Sequence, residues 1–425
     1  MNTEEARAIA QGFDPNRLNT GFYENPYDIY AALRTFEPVH RCPDGSYFFS
    51  RFAELDEIYR DRTHFSSDKK MVFGPKFGPD SPLYEHHTTS LVFNDPPYHT
   101  RVRRQIVAAL SPNALRALEP GITALVDRLL EQLEERRQVD LIEHFAAAIP
   151  VEVIGNLLRV PREDRGPLRG WSLAILGALE TELTAEQRSR GENAVVEFTA
   201  YLRGLIADRR RRPLGETDLL SRLLQEAELT ESELLQNCVF LLNAGHETTT
   251  NLIGNGLCLL LDHPESAARL RSDPQLIGTA IEECLRLESP NQLGNRLVSQ
   301  RVTIGGVALE PNTYLTLCIG AANRDPEEFP DAERFDIARR PNRHLAFAAG
   351  AHACAGMGVA RLEAQIALLR TVQRLPRLLL TGGATRARRA RFRGFLSLPA
   401  EVTDPSTSAA SVKPVPRSAP NRRRE

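Results

Sequence analysis

A run of small residues in the last quarter of the chain carries one aromatic residue, one histidine and one cysteine. It reads Phe347-Ala348-Ala349-Gly350-Ala351-His352-Ala353-Cys354-Ala355-Gly356. An irregular segment with Pro341 and Asn342 precedes it, and an unbroken helical pattern over 359–375 follows it. Alanine and glycine leave room for the backbone to approach a large, flat group. N–H groups at the start of the following helix would point at the Cys354 sulfur and favour its thiolate.

This composition leaves two interpretations of Cys354. The first is that it is an axial ligand of a haem iron. The second is that it is a small buried core residue, which is the usual place of a lone cysteine. The other cysteines are Cys42, Cys238, Cys258, Cys284 and Cys318, and no two of the six form a CxxC pair. That spacing argues against a zinc ribbon or an iron–sulfur cluster and is typical of a reducing compartment.

Length and charge set broad limits on the class of protein. A chain of 425 residues is long enough for one large domain or for two or three ordinary ones. The 53 basic and 55 acidic residues give a net charge of −2, so nothing predicts binding to nucleic acid or to an anionic membrane. No segment approaches the run of ~20 apolar residues that spans a bilayer. We therefore expect a soluble, cytoplasmic protein.

The pattern of the chain predicts a mainly α fold with small β-sheets. Residues 1–24 are polar and punctuated by glycine and proline, so we expect an irregular N-terminal arm. Residues 25–400 show no linker and no internal repeat, which predicts a single domain. Short strand patterns at 39–50 and 296–319 interrupt a sequence whose other segments have the pattern of amphipathic helices. Residues 401–425 are rich in Ser, Pro and Arg and are predicted to be a disordered tail.

The segment 66–94 breaks the helical periodicity while staying apolar. Gly74-Pro75, Gly78-Pro79 and Ser81-Pro82 interrupt it, and aromatic residues such as Phe93 recur between the breaks. Long loops within a compact domain are usually functional or disordered. The aromatic content favours a functional loop that lines a site.

A helix begins after Asp95-Pro96-Pro97, where proline fits the first turn. His99 and Arg103 stand four residues apart on that helix and so share one face. They are either part of a solvated basic face or two donors aimed at a ligand that carries a carboxylate.

The longest predicted helix covers 230–262 and has an unusual middle. Gly245 and three consecutive threonines, Thr248 to Thr250, are poor residues for a helix interior. Threonine hydroxyls can bond backbone carbonyls and bend the helix. A local rule broken within a strong element usually marks a site, although a merely kinked helix is the plain alternative. His246-Glu247 would begin a zinc-protease HExxH motif, but residue 250 is Thr, which excludes that class.

Glu283-x-x-Arg286 lies on another predicted helix, 274–287, and is weak evidence alone because the pattern occurs by chance on many helices. Its position matters more. Three motifs follow in order: Ala244-Gly245-x-Glu247-Thr248, Glu283-x-x-Arg286 and the Phe347 to Gly356 run. Together with His99 and Arg103 upstream, they resemble the cytochrome P-450 superfamily of haem-thiolate monooxygenases, over about residues 25–399. The lack of a membrane anchor makes the chain similar to bacterial members.

The resemblance implies a single haem domain, mainly α with small sheets, in which a long kinked helix crosses haem b. It makes Cys354 the ligand of the haem iron. It assigns the other cofactor contacts to His99, Arg103, Arg296, His352, Phe347, Gly350 and Ala244. The four polar side chains among them would hold the two propionates, because carboxylates in apolar surroundings need donors.

The resemblance also implies two further groups of residues. Glu247 and Thr248 would form the acid–alcohol pair that supplies protons during the reduction of dioxygen. Glu283, Arg286 and Arg334 would form a buried ion-pair network that holds the loop before the cysteine. Removing one partner of such a network would cost several kcal/mol, with loss of haem as the expected phenotype.

Two residues depart from the family pattern. Ala348 stands where the family usually has glycine, and a methyl group there is tolerable only if φ stays negative. Glu247 stands where many bacterial members have Asp. The longer side chain changes the reach of the proton-supplying acid but not its role.

A substrate pocket is expected among apolar walls. We predict that its lining includes the 71–93 segment, residues 176–179, Asn243, Gln292, Leu293, Phe93 and Phe395. With Asn243 and Gln292 as polar anchors, this lining predicts a small-to-medium hydrophobic substrate that carries one polar group.

Electrons would have to come from separate proteins, since the haem fold uses the whole chain. The expected donors are NAD(P)H through a ferredoxin and its reductase, or through a flavodoxin-type protein. Arg101, Arg104 and Arg116 are predicted to form a basic rim that docks an acidic iron–sulfur protein.

Two other functions remain open at this point. One is a peroxide-driven haem-thiolate enzyme, and the other is a non-catalytic haem- or ligand-binding protein. The Glu247-Thr248 pair favours activation of dioxygen, because a peroxide-driven enzyme has less need of a proton relay.

Overall fold

The computed structural model describes residues 2–180, 183–212, 219–225 and 229–403. Over these residues the α-helices are α1 (Thr3–Gln11), α2 (Thr20–Glu24), α3 (Tyr27–Phe36), α4 (Phe52–Arg60), α5 (Lys70–Phe77), α6 (Pro82–Thr89), α7 (Tyr98–Ala109), α8 (Pro112–Glu135), α9 (Ala148–Leu157), α10 (Leu168–Gly177), α11 (Ala185–Arg211), α12 (Leu219–Gln225), α13 (Glu231–Asp262), α14 (Pro264–Ser272), α15 (Ile277–Leu287), α16 (Ile319–Ala322) and α17 (Met357–Arg374). The strands are β1 (Val39–Arg41), β2 (Tyr47–Phe49), β3 (Phe65–Ser66), β4 (Gln138–Asp140), β5 (Leu293–Val298), β6 (Val302–Ile304), β7 (Val307–Leu309), β8 (Tyr314–Cys318), β9 (Leu378–Leu380), β10 (Thr385–Arg386), β11 (Phe395–Ser397) and β12 (Pro399–Val402). Helices dominate, so the mainly α fold with small sheets is confirmed.

The strands form small sheets at the edges of the helical body. The largest has the order β1-β2-β8-β5-β3, in which β2 and β8 run parallel and the other pairs antiparallel. A three-stranded sheet has the order β4-β12-β9, and β6–β7 and β10–β11 are paired hairpins. Pro43-Asp44-Gly45 makes the predicted turn between β1 and β2, with Gly45 at a φ of 84°.

Helix α13 runs through the centre of the helical body and packs against α9, α10, α15 and α17. Its start is a capping box: the Thr230 hydroxyl accepts from the Glu233 N–H at 3.2 Å, and Glu233 accepts from the Thr230 N–H at 2.8 Å. Such a cap stabilises a helix by about 1 kcal/mol. The structure assigns α13 as helix throughout, including the threonine-rich stretch. Thr248 and Thr250 each donate to the carbonyl four residues back, an arrangement that favours bending.

The prediction of an irregular arm over residues 1–24 is wrong. Asn2 caps α1 by accepting from the Glu5 N–H at 2.8 Å, and Asn19 caps α2 in the same way with Phe22. Phe22 is 3% exposed and packs with Phe13 and Tyr30 in one apolar cluster. Gly12, one of the residues that looked like a break, is the C-cap of α1, and this segment is part of the folded body.

The long loop predicted over 66–94 is also wrong in detail, because α5 and α6 occupy most of it. Ser81-Pro82 is a helix start rather than a break. The Ser81 hydroxyl accepts from the Tyr84 N–H at 3.1 Å, and Pro82 occupies the first turn, where it needs no partner for a backbone N–H. The aromatic residues of the segment pack together: Phe73 contacts Phe77, His87 and Phe93.

The predicted tail lies mostly outside the described residues, except that 401 and 402 belong to β12. The boundaries of the single domain stay a prediction. Within the described ranges, no helix is both long and apolar enough to cross a membrane.

Candidate active site

A cavity of about 350 Å³ lies between α13 and the loop that leads into α17. Most of the predicted site residues line it: Phe93, His99, Arg103, Asn243, Ala244, Thr248, Arg296, Phe347, His352 and Cys354, with Leu176 and Leu179 from the predicted wall. Residues that are 255 positions apart in sequence are therefore brought together, as Cys354 faces the same space as His99. The cavity has mainly apolar walls and gathers its polar groups at a few points.

Backbone hydrogen bonds fix the loop that carries Cys354. The Cys354 N–H donates to the Phe347 carbonyl at 2.9 Å, and the Ala348 N–H donates to the Leu345 carbonyl at 2.8 Å. Gly350 has a φ of 68°, and a Cβ there would stand 2.3 Å from the Tyr59 carbonyl oxygen. Only glycine fits that position without moving the backbone.

Ala348 does not meet the condition under which alanine is harmless. Its φ is 54°, in the left-handed region, where a Cβ crowds the following carbonyl. This conformation is unfavourable for alanine by roughly 1–2 kcal/mol, whereas glycine adopts it without that cost. The departure from the family pattern therefore leaves strain in the loop before Cys354.

The surroundings of Cys354 suit a thiolate that is bound to a cation. Burial raises the pKa of the Cys354 thiol, while the N–H groups of Gly356 and Met357 and the charges of Arg103 and Arg361 lower it. Burial dominates, so the helix start does not ionise the sulfur by itself. A coordinating metal ion would supply the missing positive charge, because a thiol that binds a metal is deprotonated.

Positive and donor groups converge at one edge of the cavity, where His99, Arg103, Arg296 and His352 lie together. Both ring nitrogens of His99 are buried and have no hydrogen-bond partner. The His99 and His352 rings lie 3.9 Å apart, and Arg296 is 9% exposed. Burial, followed by the charge of Arg103, lowers the pKa of His99 to about 4 against the opposing charge of Asp95. Two propionates would satisfy these donors, so the residues fit haem.

Glu247 and Thr248 face different sides of α13. The Thr248 hydroxyl lines the cavity and donates to the Ala244 carbonyl at 2.7 Å. Glu247 points away from the cavity and forms an ion pair with Arg389 from the loop between β10 and β11. Burial raises the pKa of Glu247 and Arg389 opposes that shift. The partner Arg389 was not predicted, since nothing in its arginine-rich surroundings distinguishes it.

Gly245 has a packing role in this helix. A Cβ at this position would lie 2.6 Å from Cδ1 of Ile154 on α9. The glycine in the middle of α13 thus permits the close approach of two helices.

The buried network is present, but its third member is not Arg334. Arg286 donates two hydrogen bonds of 2.8 Å to Glu283, and both side chains are fully buried. Arg339 adds a second guanidinium, with Nε 3.1 Å from both Glu283 oxygens. Arg334 is exposed and contributes only its carbonyl, which accepts from Arg286 at 3.2 Å. The loop turns between 334 and 339 and brings the later arginine inward, which sequence position alone does not reveal.

A second ion pair, not predicted from the sequence, holds Phe347. Arg361 donates two hydrogen bonds of 2.7 Å to Glu282, and its guanidinium lies 4.7 Å from the centre of the Phe347 ring. Nε2 of His344 donates to the same carboxylate at 3.2 Å. The sequence feature that could have indicated this ion pair is Arg361, a charged residue in the helix that follows Cys354.

Three predicted pocket residues do not line the cavity. The Gln292 amide donates to the Ser289 carbonyl at 2.7 Å, and Leu293 packs in the apolar cluster around Tyr30. Phe395 belongs to the main helical core beneath Arg386. The sequence predicted the right segments but not which residues within each segment face the cavity. Neighbouring residues line the cavity instead: Asn291, Gly294, Asn295, Arg391 and Phe392.

Known proteins resemble this chain over most of its length. A family model described as "Cytochrome P450" matches residues 181–401. The biotin biosynthesis cytochrome P450 of Bacillus subtilis (strain 168) is 36% identical over 84% of this chain and 91% of its own length. The vitamin D(3) 25-hydroxylase of Pseudonocardia autotrophica is 36% identical over 88% of this chain and 92% of its own length. A crystal structure of P450BioI with an acyl carrier protein that bears hexadec-9Z-enoic acid superposes with a TM-score of 0.86, at 35% identity, covering 90% of this chain and all of that one.

The chain therefore belongs to the cytochrome P450 family. It is a haem-thiolate monooxygenase that acts on hydrophobic substrates with dioxygen. It uses haem b, and its electrons derive from NAD(P)H through partner proteins.

The assignment of Arg339 to the buried network can be tested against Arg334. Arg339→Gln removes two charge-assisted contacts to a buried carboxylate and should lower the free energy of unfolding by about 2 kcal/mol. Arg334→Gln changes an exposed side chain and should stay within about 0.5 kcal/mol of the parent. Denaturant unfolding followed by circular dichroism measures both. An equal loss in the two variants would contradict the assignment.

The strain at Ala348 predicts a stabilising substitution. Ala348→Gly should raise the free energy of unfolding by about 1 kcal/mol, because the relief of a left-handed alanine exceeds the added freedom of the unfolded chain. Ala351→Gly, in the same loop but with an ordinary φ, is the control and should lower stability by about 0.5–1 kcal/mol. The idea fails if both variants are destabilised alike.

Proposed function

We propose that Cys354, His99, Arg103, Arg296 and His352 hold haem b in the cavity beneath α13. The observation that carries this is their convergence: a partly buried cysteine, a histidine whose two ring nitrogens have no partner, and two arginines line one space. When bound, the haem supplies the iron centre at which dioxygen is reduced and one oxygen atom is transferred to the substrate. Phe347 and Ala244, which line the cavity, would contact the cofactor, and Gly350 would support the loop by its close packing against Tyr59.

Thr248 and Glu247 would move protons toward the cavity. Of the two residues, Thr248 is the one whose hydroxyl reaches the reacting atoms. It can break its hydrogen bond to the Ala244 carbonyl and donate into the cavity instead. Glu247 would take up protons on the far side of α13. Its Oε2 has no hydrogen-bond partner, and its Oε1 is held by Arg389. Arg389 would thereby position the acid rather than exchange protons itself.

The substrate proposed here is a small-to-medium hydrophobic molecule with one polar group. Asn243 is 2% exposed, lines the cavity, and has neither amide atom hydrogen-bonded, which makes it a polar anchor in an apolar wall. Relatives support this class, since one is named a vitamin D(3) hydroxylase and another was crystallised with a fatty acyl chain. Hydroxylation, demethylation and epoxidation are all compatible with such a substrate.

The electron donors would be a ferredoxin and its reductase, or a flavodoxin-type protein, in the cytoplasm. Six free cysteines agree with a reducing compartment. Of the predicted basic rim, Arg104 and Arg116 are exposed. Arg101 is instead bound to Glu233 on α13 at 2.9 Å. We therefore reduce the docking surface to Arg104 and Arg116.

Thiolate ligation is tested by the reduced protein under carbon monoxide. The parent should show the strongly red-shifted Soret band of a haem thiolate, and Cys354→Ser should lose it because an alcohol is a poor ligand for iron. The assignment of Cys354 is overturned if the variant keeps the same band.

The relay predicts a change in coupling rather than in electron supply. With surrogate ferredoxin and reductase, Thr248→Ala should still consume NAD(P)H but release several times more hydrogen peroxide per NAD(P)H, because protonation loses its donor. Thr250→Ala is the matched control. Its hydroxyl makes the same bond to a carbonyl four residues back, at 3.0 Å, but does not line the cavity. Equal coupling in Thr248→Ala and the parent would remove the relay role.

Docking at Arg104 predicts a salt-dependent effect. Arg104→Glu should slow the first electron transfer from ferredoxin and flatten its dependence on ionic strength, because a rim charge steers association. Arg190→Glu, which makes the same change on the exposed face of α11, should leave the rate unchanged. Stopped-flow reduction under carbon monoxide measures both variants, and identical behaviour would refute this docking surface.

A further inference from the structure

An acid just beyond the end of α10 binds the loop between β10 and β11. Oε2 of Glu180 accepts hydrogen bonds from the backbone N–H groups of Ala390 and Arg391, at 3.0 and 3.4 Å. The residue before them in this loop is Arg389, which forms the ion pair with Glu247. The carboxylates of Glu180 and Glu247 therefore bind neighbouring residues of one short segment.

Helix α10 also fixes the side chain of Arg389. Nη2 of this arginine donates to the Leu173 carbonyl at 3.3 Å. A Cβ built on Gly177 would lie 3.6 Å from the same nitrogen, so the guanidinium lies against the helix backbone. One nitrogen of Arg389 is thus held by α10 and another by Glu247 on α13. The orientation of the guanidinium depends on both helices.

Glu180 carries a charge that the backbone hydrogen bonds do not require. A neutral amide oxygen could accept from the two N–H groups as well, yet the chain buries a carboxyl group whose Oε1 has no hydrogen-bond partner. A buried carboxylate is unfavourable unless cations surround it. Arg391 and Arg389 supply positive charge here, and Lys76 donates to the Glu180 main-chain carbonyl at 2.6 Å. One of these cations, Arg389, is shared with Glu247.

The charge of Glu180 opposes the charge of Arg389 at Glu247. Burial raises the pKa of Glu247, Arg389 lowers it, and Glu180 raises it again. Burial also raises the pKa of Glu180, against the charges of Arg391 and Arg389. A general acid works best when its pKa lies near the operating pH. A carboxylate bound by an unopposed arginine would instead remain ionised and have no proton to supply.

We propose that Glu180 is a positioning residue of the proton relay, which holds the loop that carries Arg389 and offsets the charge of Arg389 at Glu247. The oriented guanidinium keeps Glu247 in place, while the second carboxylate keeps Glu247 able to carry a proton toward Thr248. Glu180 does not line the cavity and acts only through these residues. The proposal rests on the proposed function, because it requires Glu247 and Thr248 to supply the protons.

Removal of the Glu180 charge should change how proton supply depends on pH. In Glu180→Gln the amide oxygen can still accept from the loop, but Arg389 acts on Glu247 without opposition and lowers its pKa. Less of Glu247 is then protonated at a given pH, so proton supply fails at a lower pH than in the parent. With surrogate ferredoxin and reductase, Glu180→Gln should release roughly two- to threefold more hydrogen peroxide per NAD(P)H than the parent at about pH 8, and the same amount at about pH 6.

Infrared spectroscopy gives a readout that does not depend on turnover. The carbonyl band of a protonated carboxyl group that disappears in Glu247→Gln belongs to Glu247. Its titration in the oxidised holoprotein reports the ionisation of that residue. The same band is identified in Glu180→Gln by comparison with the double variant Glu180→Gln/Glu247→Gln, and it should disappear at a lower pH than in the parent.

Three further variants separate charge from packing. Glu180→Asp keeps the charge and should retain the pH dependence of the parent. Glu186→Gln removes an exposed carboxylate from the first turn of α11 and should also behave like the parent. Burial lowers the pKa of Lys76 to about 8, so this lysine titrates in the range of the assay. Lys76→Arg replaces it with a cation that does not titrate, and the pH dependence of the parent should persist.

Each other outcome overturns the proposal. If Glu180→Gln keeps both pH profiles of the parent, its charge does not act on Glu247. If Glu180→Asp shifts them as far as Glu180→Gln does, or if Glu180→Gln loses the carbon monoxide band, Glu180 serves only the fold. If Lys76→Arg abolishes the pH dependence, the lysine is the titrating group.

Failure of the relay itself is a separate result. If Glu247→Gln and Thr248→Ala both leave the release of peroxide unchanged, the proposed function of this pair is wrong. If these two variants release more peroxide and Glu180→Gln does not at any pH, the relay stands and only the role of Glu180 is refuted.

Discussion

The structure depends on the pairing of Glu283 with Arg286, two opposite charges with no exposure to water. Desolvating both is expensive, and the pair persists only because every remaining donor and acceptor is used. Arg286 reaches the carbonyls of Asn323 and Ala332 at 2.9 and 2.6 Å. Through these bonds a helix far from Cys354 in sequence dictates the course of the chain that leads to it. The position of Cys354 therefore depends on a buried ion pair that does not contact it.

At the cavity, in contrast, the charges and donors are not balanced within the chain. Around Glu283 the charges are balanced within the chain, whereas the cavity edge gathers Arg103 and Arg296 beside His99, whose ring nitrogens have no partner. A fold can tolerate such an imbalance only where a bound group removes it. The contrast between balanced and unbalanced charge thus separates the residues that maintain the fold from those that meet ligands.

Sequence patterns predicted those features that depend on local spacing. Helix α13 with its capping box, the turn at Gly45 and the pairing of Glu283 with Arg286 all follow from residues within a few positions of one another. The pattern failed where the answer lies in how a loop folds back: Arg339 replaces Arg334, and Arg391 and Phe392 line the cavity in place of Phe395. It also failed where one residue type has two uses, since Ser81-Pro82 begins a helix as readily as it breaks one.

The loop between β10 and β11 presents alternate arginines to three different surroundings. Arg389 holds Glu247, Arg391 lines the cavity, and Arg393 binds Glu288 at 3.0 Å. Because the three are two residues apart on one short connection, none can be moved without the others. An insertion or deletion in this loop would alter substrate recognition and proton supply in a single step. Efforts to retarget the enzyme by exchanging this segment would therefore change its selectivity and its efficiency of oxygen use together.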